Sequence, residues 1–235
     1  MELKITCACP DLSNITETSI SDIIDAHADS DIIVFPEYLL ELAPEPKKPY
    51  PNQLIFFGSE RDLNYNKTRI SLNGDFLTYN KQKLTPWEKD LKAGSENICV
   101  HYKGAKIGLA VCYDIEFPEL VPDWRADELD IMVVPSATES VFGYERVNRC
   151  ASARSVELGC AVVTCHLIGE TENDLVDVNV GNHHLYYPSQ SSFDGQERNP
   201  ALSVKTSGEV IQTFTVNIDQ LRKQKEIKDE TNPAL

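Results

Sequence analysis

The chain has 235 residues, 41% of them apolar, with 22 basic residues against 37 acidic ones and a net charge of −15. That length and apolar share are enough for one packed domain and exclude wholesale disorder. The acidic balance excludes a nucleic-acid backbone or an anionic membrane surface as the main partner, since both recruit Lys and Arg patches.

No apolar run approaches the ~20 residues of a membrane helix. Met1 to Thr6 lacks the basic-then-apolar pattern of a secretory signal. The seven cysteines are irregularly spaced, with no CxxC or HxxxH pair, so they read as reduced thiols and not as a zinc site. His183-His184 is an isolated dipeptide whose side chains diverge on a strand, a poor chelate. No metal is expected, and reduced thiols without a signal predict a cytoplasmic protein.

Strand-like and helix-like segments alternate along the chain. Residues 3–9 read as a strand and 18–29 as a helix, with Ile20, Ile23 and Ile24 as its apolar stripe. Ile32 to Phe35 is a short buried strand ending at Pro36, and residues 43–52, rich in Pro and Lys, are a loop. Leu54 to Phe57 is the next strand, closed by Gly58-Ser59. Thr68 to Leu72, the turn Asn73-Gly74 and Phe76 to Tyr79 form a hairpin. Ile98 to His101 and Ile107 to Val111 form a second around Lys103-Gly104. Residues 118–128 read as helix, 131–134 as a buried strand, 143–158 as an amphipathic helix and 161–165 as another buried strand. Residues 183–187, 201–205 and 209–216 are strand-like, and 221–235 form a charged tail or exposed helix. With no repeat, linker or low-complexity tract, residues 1–235 read as a single α/β domain, with layered sheets covered by helices.

Three buried strands end abruptly in a reactive residue type: Val34-Phe35-Pro36-Glu37, Tyr79-Asn80-Lys81, and Ile107 to Val111 followed by Cys112. Tips of neighbouring strands in one sheet can converge on a shared site. A cysteine at a strand-to-helix turn is held out at the sheet's edge, beside a helix N-terminus that favours thiolate. The residue set suits acyl transfer: Cys112 as nucleophile, Glu37 as general base, and Lys81 with the Tyr113 backbone N–H on the developing negative charge. Glu116 falls inside the cysteine segment, and Glu139 follows the strand Ile131 to Val134. Facing the pocket they would favour a substrate bearing an amine or guanidine; alternatively Glu116 pairs with a nearby Lys or Arg. Trp87 and Trp124 read as packing residues, though Trp87 lies close enough to Glu88 to line a pocket.

These residues resemble the nitrilase, or carbon-nitrogen hydrolase, superfamily. The match is Phe35-Pro36-Glu37, Tyr79-x-Lys81-x-x-Leu84 and Cys112-Tyr-Asp114-x-x-Phe117-Pro-Glu119, in the family's order. It continues through Pro135-Ser136, Arg146 and Ala151-x-Ala153-Arg154-x-x-Glu157, and covers roughly residues 3 to 216. Singly the motifs are weak; three in order are strong.

The resemblance implies a four-layer αββα sandwich of two mixed β-sheets flanked by helices. It implies a Glu37-Lys81-Cys112 triad, a thioester intermediate and no cofactor. Hydrolysis of a non-peptide C–N bond in a small linear amide, nitrile or carbamoyl compound follows. Glu88, in Thr85-Pro86-Trp87-Glu88, matches a second family glutamate that positions substrate and Lys81. A homodimer or higher homo-oligomer through residues 118–128 and 143–158 is also implied. The alternatives are a catalytically idle binding protein of the same fold and the family's acyltransferase branch. The chain departs from the pattern in its short length and in Leu42 to Pro51, where four prolines preclude the usual helix.

Overall fold

The computed structural model describes residues 1–197 and 200–227. The first sheet begins with β1 (Glu2–Cys9), β2 (Ile32–Val34) and β3 (Leu54–Asp62), paired in parallel through β2. The hairpin β4 (Tyr65–Leu72) and β5 (Asp75–Asn80) continues it antiparallel. The second sheet places β8 (Ile131–Ser136) between parallel neighbours β7 (Ala105–Leu109) and β9 (Ala161–His166). β6 (Cys99–Tyr102) and β12 (His184–Tyr186) flank it antiparallel. β13 (Val210–Asn217) returns to the first sheet beside β1, so the orders are β13-β1-β2-β3-β4-β5 and β12-β9-β8-β7-β6.

The period of two along β1 and β2 divides the core. Leu3, Ile5, Cys7, Ile32 and Val34 point between the sheets and share one core with Ile107, Leu109 and Val133. Ile33, Phe35, Ile55 and Phe57 point outward and bury Ile20, Ile23 and Ile24 of α1 (Ser19–Ala26). The Cys165 thiol donates to the Val34 carbonyl at 3.2 Å, joining the two sheets directly. On the far side α3 (Val141–Leu158) covers β9 with Tyr144, Val147, Ala151, Ser155 and Leu158, spaced by three and four residues. Ser140 caps α3 by accepting from Gly143 N, and Gly159 ends it in the left-handed conformation at φ 59°. The short helix α2 (Val121–Ala126) packs on α3 and buries Trp124 in the core. Two mixed sheets face each other between helices, as the resemblance implied.

Several local expectations need correction. The helix expected over 118–128 is one 3₁₀ turn, Pro118–Leu120, followed by α2. Residues 201–205 form no strand, only a bridge between Gly181 and Lys205. A two-residue pair, β10 (Gly169–Glu170) and β11 (Val178–Asn179), adds to the expected strands. The charged tail expected from Leu221 begins inside α4 (Ile218–Lys225), which docks by burying Ile218 and Leu221. Arg222 clamps Asp130 at 2.7 Å and Lys225 caps the Leu129 carbonyl at 2.8 Å, so its charges tie α4 to the turn before β8. The remainder of that expectation, residues 228–235, lies outside the described residues.

After Val34 the chain makes one 3₁₀ turn, Leu39–Glu41, and stays irregular to β3, as the prolines dictate. Gly58, at φ 81°, sits where β3 bulges between Phe56 and Ser59. A Cβ there would lie 2.0 Å from the Pro36 carbonyl oxygen. The next residue, Ser59, accepts from Tyr38 N at 3.1 Å. The bulge is therefore a socket for the Pro36-Glu37-Tyr38 turn. Gly58→Ala combines a left-handed φ with a backbone clash and is expected to cost at least about 2 kcal/mol. A urea midpoint unchanged from wild type would refute this socket.

Candidate active site

Glu37 follows β2, Lys81 follows β5 and Cys112 follows β7, so three strand ends from both sheets meet at one cavity. The cavity measures about 170 Å³ and is lined by Glu37, Lys81, Glu88, Cys112, Tyr113 and Glu139 among others. Lys81 is 1% exposed, and its Nζ donates to Glu37 Oε1 at 2.8 Å and Glu88 Oε2 at 2.9 Å. Asn66 on β4 donates from Nδ2 to both carboxylates, at 2.8 Å each. Ala137 N, just past β8, donates to Glu37 Oε2 at 3.0 Å. Glu88 also accepts from the Tyr38 hydroxyl, from Thr85 N at 2.8 Å and from Thr85 Oγ1 at 3.0 Å. Thr85 and Glu88 form a capping box around the 3₁₀ turn Pro86–Glu88, which explains why that tetrapeptide holds its glutamate inward.

The two carboxylates thereby acquire different chemistry. Burial pushes both up, and Lys81 pulls both down. For Glu88 the balance of Lys81, Tyr38, Asn66 and Thr85 wins, and its carboxyl falls to about 2. For Glu37 burial wins, reinforced by the negative charge of Glu88, and its pKa lies above the ordinary value of 4.5. Glu88 is thus the fixed counter-ion of Lys81, and Glu37 is the carboxylate that can take and release a proton. Burial alone would lower the Lys81 pKa, but Glu37 and Glu88 outweigh it and raise it, so the ammonium stays charged.

Cys112 has φ 46°, left-handed for a residue with a side chain, and opens the 3₁₀ turn Cys112–Glu116. Such a backbone costs on the order of 1–3 kcal/mol and is kept only where the surroundings impose it. The turn is held by Asp114 N donating to Val111 O at 3.0 Å, and by Val111 N donating back to the Asp114 carboxylate at 3.0 Å. The thiol is 6% exposed and donates to the Ala137 carbonyl at 3.6 Å. The expectation of a thiolate favoured by a helix N-terminus is corrected here. The turn is too short to carry a useful dipole, and burial followed by the Glu37 charge pushes the thiol well above 9, with Lys81 opposing. The resting site holds the carboxyl groups of Glu37 and Glu88, an ammonium and a neutral thiol.

The other expected residues separate. Glu88 and Tyr113 lie in the cavity wall as anticipated. Glu116 lines it too, but its carboxylate pairs with Arg146 at 3.1 Å, so the cationic-substrate argument loses one of its two charges. Glu139 stands exposed at the rim. Trp124 packs as expected, whereas Trp87 is 73% exposed beside the cavity. Asn66, Tyr38 and the Ala137 peptide escaped sequence reading. Asn66 sits in a plain strand alternation, and a backbone peptide has no side-chain signature at all.

The carbon-nitrogen hydrolase family matches residues 33–192, a span that holds every one of these groups. The chain belongs to the carbon-nitrogen hydrolase family. It is 31% identical to the probable hydrolase YhcX of Bacillus subtilis over 156 residues, 62% of this chain and 29% of that protein. It is 41% identical to the deaminated glutathione amidase of Homo sapiens over 64 residues, 27% of this chain and 20% of that one. An (R)-stereoselective amidase from a Pseudomonas species is 29% identical over 109 residues, 46% of this chain and 39% of that protein. The matched segments therefore span only 20% to 39% of these relatives' lengths. Among solved structures, Nit3 of Saccharomyces cerevisiae, a member of branch 10 of the nitrilase superfamily, superposes with a TM-score of 0.73 at 20% identity. That superposition covers 99% of this chain and 96% of Nit3. A cysteine-to-alanine mutant of the amidase from a Nesterenkonia species, in complex with butyramide, gives 0.67 at 17% identity, covering 94% of this chain and 93% of that one. At these identities the structures share their fold with this chain.

Glu37 can accept a proton only as carboxylate, so a reaction that used it as base would be lost as pH falls through its raised pKa. The acid limb of kcat/KM is expected above the ordinary carboxylate range. Asn66→Ala removes a donor that favours the charged form, so the limb moves further up and kcat/KM at pH 6 drops on the order of tenfold. A limb left in place by Asn66→Ala would show that Glu37 is not the titrating group.

Proposed function

We propose that this chain is an amidase-type hydrolase of small linear amides, acting through a thioester on Cys112. The observation that carries this reading is the meeting of Cys112 with Glu37 and with the buried Lys81 ammonium, 2.8 Å from the Glu37 carboxylate, in one small cavity. The thiol passes its proton to Glu37 as sulfur attacks the carbonyl carbon. Charge gathers on the carbonyl oxygen, where Lys81 and the Tyr113 N–H supply donors. Each such donor is worth roughly 3–4 kcal/mol of barrier. Glu37 returns the proton to the departing nitrogen, so ammonia or an amine leaves and the acyl group stays on sulfur. Water then attacks the thioester, Glu37 takes its proton, and the acid departs with the thiol restored. Every proton moves through one carboxylate, which is why Glu37 must have an accessible neutral form while Glu88 must not.

Similarity to amidases supports an amide over a nitrile. Nitriles and carbamoyl compounds remain arms of the test. The cavity of about 170 Å³ falls below the range that holds drug-sized ligands and fits a short linear molecule. No helix among the described residues is long and apolar enough to cross a membrane, and that weakens the acyltransferase alternative with embedded members. All seven thiols are unpaired, which supports a reducing, cytoplasmic setting. A homodimer through α2 and α3 is part of this reading, since Val156 on α3 is 47% exposed.

An ammonia-release screen over short amides, nitriles and carbamoyl amines tests the function. At least one amide is expected to turn over, with Cys112→Ala at least about 10³-fold slower, the scale on which a missing nucleophile acts. Equal release by wild type and Cys112→Ala across the panel would remove the proposal and favour the idle binding protein.

A further inference from the structure

We propose that Asp114 is a positioning residue, a strap that binds the lysine loop of the first sheet to the cysteine turn of the second. It rests on the reading that Lys81 serves Cys112. Asp114 is 0% exposed and does not line the cavity, so it touches no substrate. Its Oδ1 accepts from Gln82 N at 3.1 Å and Lys83 N at 2.7 Å. Its Oδ2 accepts from Val111 N at 3.0 Å and the Tyr79 hydroxyl at 2.9 Å. Three of these donors flank Lys81 in sequence, and the fourth belongs to the residue before Cys112. One carboxylate thus joins two segments, far apart in sequence, that end strands of different sheets.

Both oxygens face donors only, and that makes an aspartate necessary. An asparagine must turn its NH₂ either toward Gln82 N and Lys83 N or toward Val111 N, so at least one buried backbone donor is left unpaired whichever way it flips. A glutamate is one carbon longer than the turn allows while Val111 N closes onto the same carboxylate. The Tyr79 and Asp114 positions, which in sequence are only spacing landmarks, acquire a shared task. Tyr79 and Asp114 fix how far the ammonium stands from the sulfur.

The strap has a consequence with a diagnostic sign. Among the side chains around the Cys112 thiol, Lys81 is the charge that eases its ionisation. If the strap is cut, the lysine loop drifts and the thiol loses that help, so alkylation of Cys112 slows. If Asp114 were only a nearby negative charge, its removal would speed alkylation. If Asp114 only held the fold together, loosening would expose Cys112 and speed alkylation as well.

The test measures chloroacetamide labelling of each thiol by mass spectrometry at pH 8. Asp114→Asn is expected to slow Cys112 about tenfold, the effect of one pKa unit. The partly exposed thiols Cys99 and Cys150 serve as internal controls and keep their rates. Tyr79→Phe removes a single donor and is expected to slow Cys112 about threefold, a fraction of that effect; it decides the matter if Asp114→Asn does not fold. Cys112 labelling as fast as wild type, or faster, in the folded variants overturns the strap. Labelling needs no substrate, so a wild type that releases no ammonia would sink the proposed function and leave this test intact. Where ammonia release is measurable, both variants lower kcat with KM unchanged.

Discussion

The structure depends on one buried cation. Lys81 carries its ammonium into the space between two sheets and meets two carboxylates there, so three charges sit out of water with a net charge of −1. An isolated buried charge costs several kcal/mol, and Coulomb attraction repays that only when the remaining lone pairs are also satisfied. Asn66, Tyr38, Thr85 and the Ala137 peptide supply those bonds. Each comes from a different segment, so the cluster forms only when the first sheet, the loop after β8 and the turn around Pro86 are all in place. Breaking such a pair by removing one partner costs about 3–5 kcal/mol in general. The site is accordingly part of what specifies the fold, and not an addition to a finished scaffold.

The two carboxylates illustrate how environment assigns roles to identical side chains. Both touch Lys81, and both accept from the same Asn66 amide. What separates them is the count of further donors. Glu88 adds a phenol, a hydroxyl and a backbone N–H, whereas Glu37 adds one backbone N–H and faces the thiol. Environments that push two carboxylates apart assign one as permanent charge and the other as proton carrier. The arrangement also explains the peptide of Ala137, whose N–H holds the base and whose carbonyl holds the nucleophile's proton.

Much of this was legible in the chain because the residues concerned sit at breaks in pattern. Glu37 and Cys112 each follow a run of buried strand residues, and a polar group at such a break stands out against its neighbours. The strand before Lys81 is not buried as expected, since Asp75 to Thr78 are exposed, and the spacing Tyr79-x-Lys81-x-x-Leu84 is what marks the lysine. The four prolines after Leu42 likewise announce an irregular crossover, whereas Gly58-Ser59, expected to close the strand, is a bulge inside β3, which runs on to Asp62. The rest was hidden for identifiable reasons. Asn66 occupies an inward position of β4, where its neighbours Thr68 and Ile70 are buried too, and nothing local distinguishes a polar core residue from a surface one. For Glu116 the alternative of pairing with a Lys or Arg is the one that holds, but which partner was hidden, because Arg146 lies far along the chain on α3. In α4, Leu221 lies among Lys, Arg and Gln, so a helix docked by only two apolar anchors, Ile218 and Leu221, reads as a solvated tail.

The thiol's state is where sequence and structure part furthest, and the difference has a physical purpose. A cysteine at a turn suggested a preformed thiolate, as in sites where a cation stands alone beside the sulfur. Here the cation is already committed to two carboxylates, so sulfur faces more negative than positive charge and keeps its proton. Proton transfer to Glu37 moves one negative charge from oxygen to sulfur without changing the net charge of the cluster. The buried site is therefore spared a second desolvation cost at the moment of attack, because the transfer leaves its total charge unchanged. Oxidants and alkylating agents that need a standing thiolate find few, while under the proposed function an amide carbonyl beside Lys81 would meet sulfur as its proton leaves. A neutral resting nucleophile flanked by a carboxylate of raised pKa trades intrinsic reactivity for selectivity, and the carboxylate cluster around Lys81 is what fixes that trade.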